Sequence, residues 1–376
     1  MNSTTTDVVV VGAGVAGVSA AAELAAFRHV VMVEQEVLPA HHASGRSAAV
    51  LSETSGHPVV CSLTHLSRPF FEQPVPGFTD HRLLSPRGLV WVGEADDGAA
   101  LDALAIAAAR VAPTVGRLSP SAARRMLPSF GADAVAGGGV HEPDAMTIDA
   151  AALIQGYVRL LHHRGGSLLT STEAVRLDRT DQGWTVTAGT STIRAKVVVN
   201  AAGAWGDVVA ARAGVAPLRL EPRRRTAAIA RVSESVALWP VVMDVGGRYY
   251  CQPDPGGLLI SPADESPSVP CDAQPEEVDV AQALDRVRDA TGLPLRSIVR
   301  AWAGLRTFAP DGAPVMGEDP DAPGFWWLVG QGGAGIKTAP ALATMLARQV
   351  EGIGPTADQV ELGVTYEALS PTRLRC

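Results

Sequence analysis

The stretch that most limits what this chain can become is Val8-Val9-Val10-Val11-Gly12-Ala13-Gly14-Val15-Ala16-Gly17. Four β-branched residues in a row suit a strand buried on both faces of a parallel sheet. The G-x-G-x-x-G turn that follows has a division of labour. Gly12 permits the tight turn, Gly14 lets a pyrophosphate approach the backbone, and Gly17 allows helix and strand to pack closely. An alanine-rich helix is expected over 18–26, its N-terminus offering free N–H groups and a partial positive charge to phosphate. A second strand, 29–33, ends at Glu34. That carboxylate lies 20 residues beyond Gly14, where a ribose hydroxyl needs an acceptor. Strand, helix, strand and acid together imply a dinucleotide site.

A chain of 376 residues has room for two domains and a large core, and 47% hydrophobic against 19% charged residues reads as a globular protein. The net charge of −8 argues against nucleic acid as a partner. Cys61, Cys251, Cys271 and Cys376 lack C-x-x-C spacing, so reduced thiols, a cytoplasmic location and no metal site are expected. No apolar run reaches the roughly 18 residues of a membrane span.

Further along, 41–53 is rich in small residues and reads as a loop, with His41 and His42 as its polar start. Strands are expected at 88–93, across 168–177 with a turn, at 184–187 as an exposed alternating strand, over 193–199, in several short pieces over 223–262, and at 325–329. Helices are expected at 98–111, 119–126, 149–163, 278–291 and 338–350. Strands run into small-residue turns at Gly12, Asn200 and Gly330. Strand ends of a parallel sheet gather on one edge, where ligands bind. The fold class expected is therefore α/β: a discontinuous Rossmann-like domain at 1–84, 146–215 and 301–376. An α+β substrate domain on an antiparallel sheet is inserted at 85–145 and 216–300.

The junction sequences resemble the D-amino-acid oxidase superfamily of FAD enzymes, which includes glycine and sarcosine oxidases. The residues carrying the likeness are 12–17, Glu34, Gly45-Arg46-Ser47-Ala48-Ala49, Asn200-Ala201-Ala202-Gly203-Ala204-Trp205 and Gly330-Gln331-Gly332-Gly333-Ala334-Gly335-Ile336. Leu83-Leu84-Ser85-Pro86-Arg87, the 301–308 segment and Leu369-Ser370-Pro371 add a likeness to D-arginine dehydrogenases. The resemblance implies FAD. Gly12, Gly14, Ala16, Gly17, Glu34, Gln35 and backbone at Ala174 would hold the adenosine half. Ser44, Arg46, Ser47 and Ala49 would line pyrophosphate and flavin, with Ala201, Gly203 and Trp205 beside them. Gly332, Gly333, Gly335, Ile336, Lys337 and Thr338, at a helix start, would face the flavin ring and stabilise its negative charge.

The same resemblance assigns the substrate carboxylate to Arg225 and Arg306, since a guanidinium fork binds a carboxylate through two parallel hydrogen bonds, and gives Tyr250 a hydroxyl contact. Arg223 and Arg224 read as ordinary ion-paired residues. Leu89, Val50 and Ser55, with Gly333, fall in the substrate pocket. They depart from the arginine-acting pattern of an acid, a histidine and a tyrosine. A buried cation against Leu89 would lack its counter-charge. The expectation is an FAD-dependent amine oxidoreductase that oxidises a D-amino acid of neutral or apolar side chain to the imine by hydride transfer to flavin N5. The imine would then hydrolyse to a keto acid. A secondary-amine oxidase of the sarcosine or glycine oxidase kind is the alternative. A flavin protein without turnover, acting through partners, is a third reading, against which the carboxylate clamp speaks. A small amine or amino acid, and a separate electron acceptor, are the expected partners.

Overall fold

The computed structural model describes residues 2–375. Its first layer grows from the valine run. A 6-stranded sheet orders 167–169, 30–33, 8–11, 197–200, 325–329 and 315–318, parallel except for the last strand. Side chains alternate across a strand, and both faces here are covered. Val8, Val10, Met32 and Val199 pack beneath helices Val15–Leu24, Pro58–Glu72, Ala150–His163 and Gly335–Val350. Val9, Val11, Val31 and Val198 pack against a 4-stranded sheet and helix Gly206–Arg212. The chain expected to need a parallel sheet buried on both sides has one.

The second unit is a 10-stranded sheet, antiparallel apart from one parallel pair, Leu89–Gly93 with Val241–Asp244. One face, with Val90, Val92, Ala228, Ala230 and Ile260, is covered by helices Pro120–Met126 and Glu277–Thr291. The other carries Ala227, Ile229, Tyr250 and Leu259 toward Ala48 of the first unit. A 3-stranded sheet, Val50–Leu51, Met146–Ile148 and Leu84–Pro86, joins the two.

Several expectations are corrected. Two helices begin one turn earlier, at Val15 after the Gly14 cap and at Gly335 after the Ala334 cap. Trp184 is fully buried rather than on an exposed strand; it packs on Phe325 and donates to the Pro323 carbonyl. The segments 168–177 and 193–199 each divide into two strands lying in different sheets. Ile298–Phe308 is one uninterrupted strand of the 10-stranded sheet. No helix among the described residues is long and apolar enough to cross a membrane.

Candidate active site

All the parallel strands end on one edge, and the residues just beyond them line a single cleft. It encloses about 1580 Å³, solvent at its mouth included, and extends from Glu34 to Arg306. Gly12, at φ 98°, has the left-handed backbone that glycine alone adopts without strain. A Cβ on Gly17 would stand 1.8 Å from the Gly12 carbonyl oxygen, so helix and strand touch there. Gly14 is different. A Cβ there would meet only Ser44 Oγ, at 3.3 Å, and would otherwise project into open cleft. This is the gap a pyrophosphate backbone approach requires, at a helix N-terminus that no side chain caps except for Ser44 Oγ, which accepts from the Val15 N–H.

Glu34 is buried and lines the cleft, yet both its oxygens already accept backbone hydrogen bonds, from Ala13 at 2.6 Å and Glu36 at 2.9 Å. It therefore pins the glycine turn, with lone pairs left for a ribose hydroxyl. Gln35, Ala174, Ala201, Gly203 and Trp205 line the same end, as does Ala16. Asn200 holds the turn beside them, donating to the Gly206 carbonyl and accepting from the Ala202 N–H.

In the middle, Ser44, Arg46 and Ser47 line the cleft. The Arg46 guanidinium reaches across to the second unit, donating to the carbonyls of Ala273 at 2.8 Å and Ala303 at 2.9 Å and pairing with Asp272. Trp302 Nε1 donates back to the Arg46 carbonyl. Arg46 thus acts mainly as a tie between the units. His41 and His42, read from sequence only as the polar start of a loop, and Cys271 also line the cleft.

At the far end, strands Glu221–Ala230 and Ile298–Phe308 pair so that Arg225 faces Gly304 and Arg306 lies two residues farther along. The Arg306 guanidinium rests on Gly333, where a Cβ would come within 2.9 Å of it. Among the described residues no acceptor or carboxylate pairs with Arg306, and it lines the cleft. Arg225 lies beside it but is partly committed, donating to the Asp264 carbonyl and, at 2.8 Å, to Glu265. Burial, with the neighbouring Arg306 charge, pushes its pKa down to about 10, so it stays charged at neutral pH. Tyr250 begins a strand on the same wall, its ring buried and its hydroxyl without a partner among the described residues. Arg223 and Arg224 pair instead with Glu221, Glu265, Glu276 and Asp279, as ordinary ion-paired residues.

Seven expected residues stand off the cleft. Gly17 is a packing contact, and Ala49, at φ 36°, closes a turn whose carbonyl accepts from Ile148. Leu89 has no accessible surface; it packs with Ala145 and Val241 against Val50, which does not line the cleft either. Thr338 bonds back to the Ala334 carbonyl. Lys337 turns away from the ring position, and its ammonium donates to the Ser52 carbonyl, the Ser55 carbonyl and Ser55 Oγ. Burial lowers its pKa to about 8. Ser55 is thereby held by a lysine, off the cleft. The adjoining Glu142 carboxylate, also buried, accepts from Ser52, Thr54 and the Glu53 N–H. A lone lysine on an otherwise apolar helix face was the sequence signal for this network.

The cleft fits FAD: a Gly14 side chain would fill it at one end, and the 332–336 turn and Arg306 close it at the other. The family model for FAD dependent oxidoreductases matches residues 7–349. Glycine oxidase of Pseudomonas aeruginosa is 30% identical over 93% of this chain and 96% of its own length. An uncharacterised Bacillus subtilis oxidoreductase, YurR, is 26% identical over 64% of this chain, which spans only 65% of that protein. The crystal structure of glycine oxidase from Geobacillus kaustophilus superposes with a TM-score of 0.83 at 23% identity, covering 96% of this chain and 99% of that one, and so shares the fold. These full-length relatives are glycine oxidases, whereas the sequence resemblance pointed to D-arginine dehydrogenases. With a cleft of this shape and a match over nearly all its length, the chain belongs to the DAO family of FAD-dependent oxidoreductases.

Proposed function

We propose that this protein oxidises the α-amine of a small, uncharged amino acid or N-substituted glycine held by its carboxylate at Arg306. The observation that carries this reading is the unpaired Arg306 guanidinium, fixed against Gly333 at the flavin end of the cleft. Its two parallel N–H groups suit a carboxylate. Arg225 adds a second positive charge through the donors that Asp264 and Glu265 leave free. A bound carboxylate relieves the repulsion between the two guanidiniums. The Tyr250 hydroxyl donates to the same anion. Holding the carboxylate still directs the α-carbon, so orientation is the residues' main contribution. Bound FAD supplies the two-electron acceptor. The oxidised substrate is an imine, which water opens to an oxo acid and ammonia, or to a primary amine from an N-substituted substrate.

Cationic side chains are disfavoured. Glu142, the acid opposite Leu89 in the sheet, is committed to Ser52 and Thr54, and Glu265 to Arg223 and Arg225. Neither is free to pair with a substrate guanidinium. The glycine oxidase relatives support glycine or its N-alkyl derivatives. A D-amino acid with an apolar side chain is a second reading, favoured by the apolar wall of Ala48, Ala227 and Trp302 beside Tyr250. Anaerobic bleaching of the flavin by glycine, sarcosine, D-alanine, D-leucine, D-arginine and propylamine separates them. Fast bleaching by glycine or sarcosine supports the first reading and by D-leucine the second. Bleaching by propylamine as fast as by amino acids overturns both, and none by any compound leaves a flavin protein without turnover.

A further inference from the structure

We infer that His41, His42 and Asp272 form a binding site for a divalent transition metal ion of the zinc type, with Glu36 orienting His42. The three side chains come from two loops, His41 and His42 being consecutive in one and Asp272 lying in the other. Ala40, in the left-handed region at φ 59°, turns the chain so that the two imidazoles converge, their rings 4.9 Å apart. Asp272 arrives from the opposite unit. One ligand atom from each residue lies within 4.8 Å of the others. His42 Nδ1 is 3.8 Å from Asp272 Oδ1, and His41 Nε2 is 4.0 Å from Oδ2.

The independent observation is the state of His42. Its Nε2 bonds Glu36 Oε1 at 3.0 Å, whereas its Nδ1 is buried and has no hydrogen-bond partner among the described residues. A hydrogen bond from Nε2–H to a carboxylate leaves the Nδ1 lone pair outward, the arrangement by which ligating histidines are fixed in one tautomer. Nδ1 lies on the Asp272 side of the ring, 3.8 Å from Oδ1. Arg46 holds Asp272 Oδ1, anchoring the carboxylate and leaving Oδ2 on the His41 side.

Two imidazoles and one carboxylate select zinc or a late first-row ion over calcium or magnesium, which take oxygen ligands. Bond lengths near 2.0–2.1 Å set ligand atoms roughly 3.4 Å apart in a tetrahedron. The half-exposed His41 swings inward by about an ångström to meet this, and water takes the fourth position. Glu36 and Asp272 offset the ion's charge in part, Asp272 being shared with Arg46. Such an ion joins the 40–46 loop of the first unit to the 271–273 loop of the second, beside the cleft.

The test is equilibrium dialysis of chelator-treated, flavin-loaded protein against Zn²⁺, with bound zinc measured by atomic absorption. About one zinc per chain is expected at roughly 10 μM free ion. His42→Ala and Asp272→Asn each lower the affinity at least about tenfold, and Glu36→Gln by about tenfold. His163→Ala, on a remote helix, leaves it unchanged. Flavin content and circular dichroism identify folded variants, and the half-exposed Asp272 gives a substitution outside the core. Less than half a zinc per chain at that concentration, or occupancy unchanged in both His42→Ala and Asp272→Asn, overturns the site.

Discussion

At the Gly14 end of the cleft, the groups that face a ligand are backbone amides and the gaps left by missing side chains. At the Arg306 end they are long side chains carried in by two paired strands. The first end is set by local sequence: turn, helix start and the terminal acid of the next strand lie close together in the chain. The second depends on register between Glu221–Ala230 and Ile298–Phe308, and on whether each arginine finds a protein partner before a ligand does. Arg225 and Arg306 look equivalent in sequence. In the fold one is tied to Asp264 and Glu265, and the other has no protein partner among the described residues.

The largest effects test the backbone end. Gly17→Val places Cβ inside the Gly12 carbonyl and is expected to cost on the order of 3 kcal/mol or more, yielding unfolded or insoluble protein. Gly14→Val meets only Ser44 Oγ and leaves the fold intact, yet its side chain takes the cofactor's space. Circular dichroism beside FAD content separates the two. A yellow Gly14→Val protein would break the assignment of that end.

Next comes Arg306→Met, expected to lower kcat/KM for amino acids by about 1.5–3 kcal/mol, roughly ten- to a hundredfold, while sparing amines that lack a carboxylate. Equal losses for both substrate types would make Arg306 a structural residue. Arg225→Met sharpens the contrast between the arginines. With two donors already engaged it has less to lose, and about a tenfold effect is expected. A larger loss from Arg225→Met than from Arg306→Met would reverse their ranking.

The smallest effect concerns Lys337, which begins on the cofactor side but extends to the opposite wall. Its folded pKa of about 8 lies below the roughly 10.4 of an unfolded lysine, so from pH 8 to about 10 the unfolded chain binds more protons. Stability from this residue therefore rises with pH in that window and is lowest below pH 8. Relative to Lys337→Met, the wild type is expected to gain about 1 kcal/mol between pH 8 and 9, read by urea denaturation. A flat difference would mean that the ammonium is better solvated than its surroundings indicate.

These contrasts explain what could be read in advance. Gly12, Gly14 and Gly17 announced their roles because glycine spacing is itself the geometry. The valine run likewise specified a doubly covered strand. Trp184–Thr187 misled because its alternation tells how faces differ, not whether the second face meets water. Its apolar face meets the parallel sheet. Lys337 follows residues that line the cleft, whereas Ser55 enters the substrate pocket only through the arginine-acting pattern, which has a tyrosine there. A helix residue's side chain points a fixed angle away from the next one, and Lys337 points to Ser52 and Ser55. Leu89 sits on the correct face of its strand but one layer too deep, which no single-strand pattern records.

The strand order of the parallel sheet also sets a timetable for biosynthesis. Val8–Val11 leaves the ribosome early, but its neighbour Val197–Asn200 lies between it and Phe325–Val329. At about 5–20 residues per second the nascent chain waits roughly 16 to 64 s between first strand and last. Throughout that interval Val8–Val11 and Val30–Val33 lack their final sheet, and the Gly332–Gly333 wall does not yet exist. A message truncated before residue 325 yields a chain with an open valine edge, a substrate for chaperones and proteases.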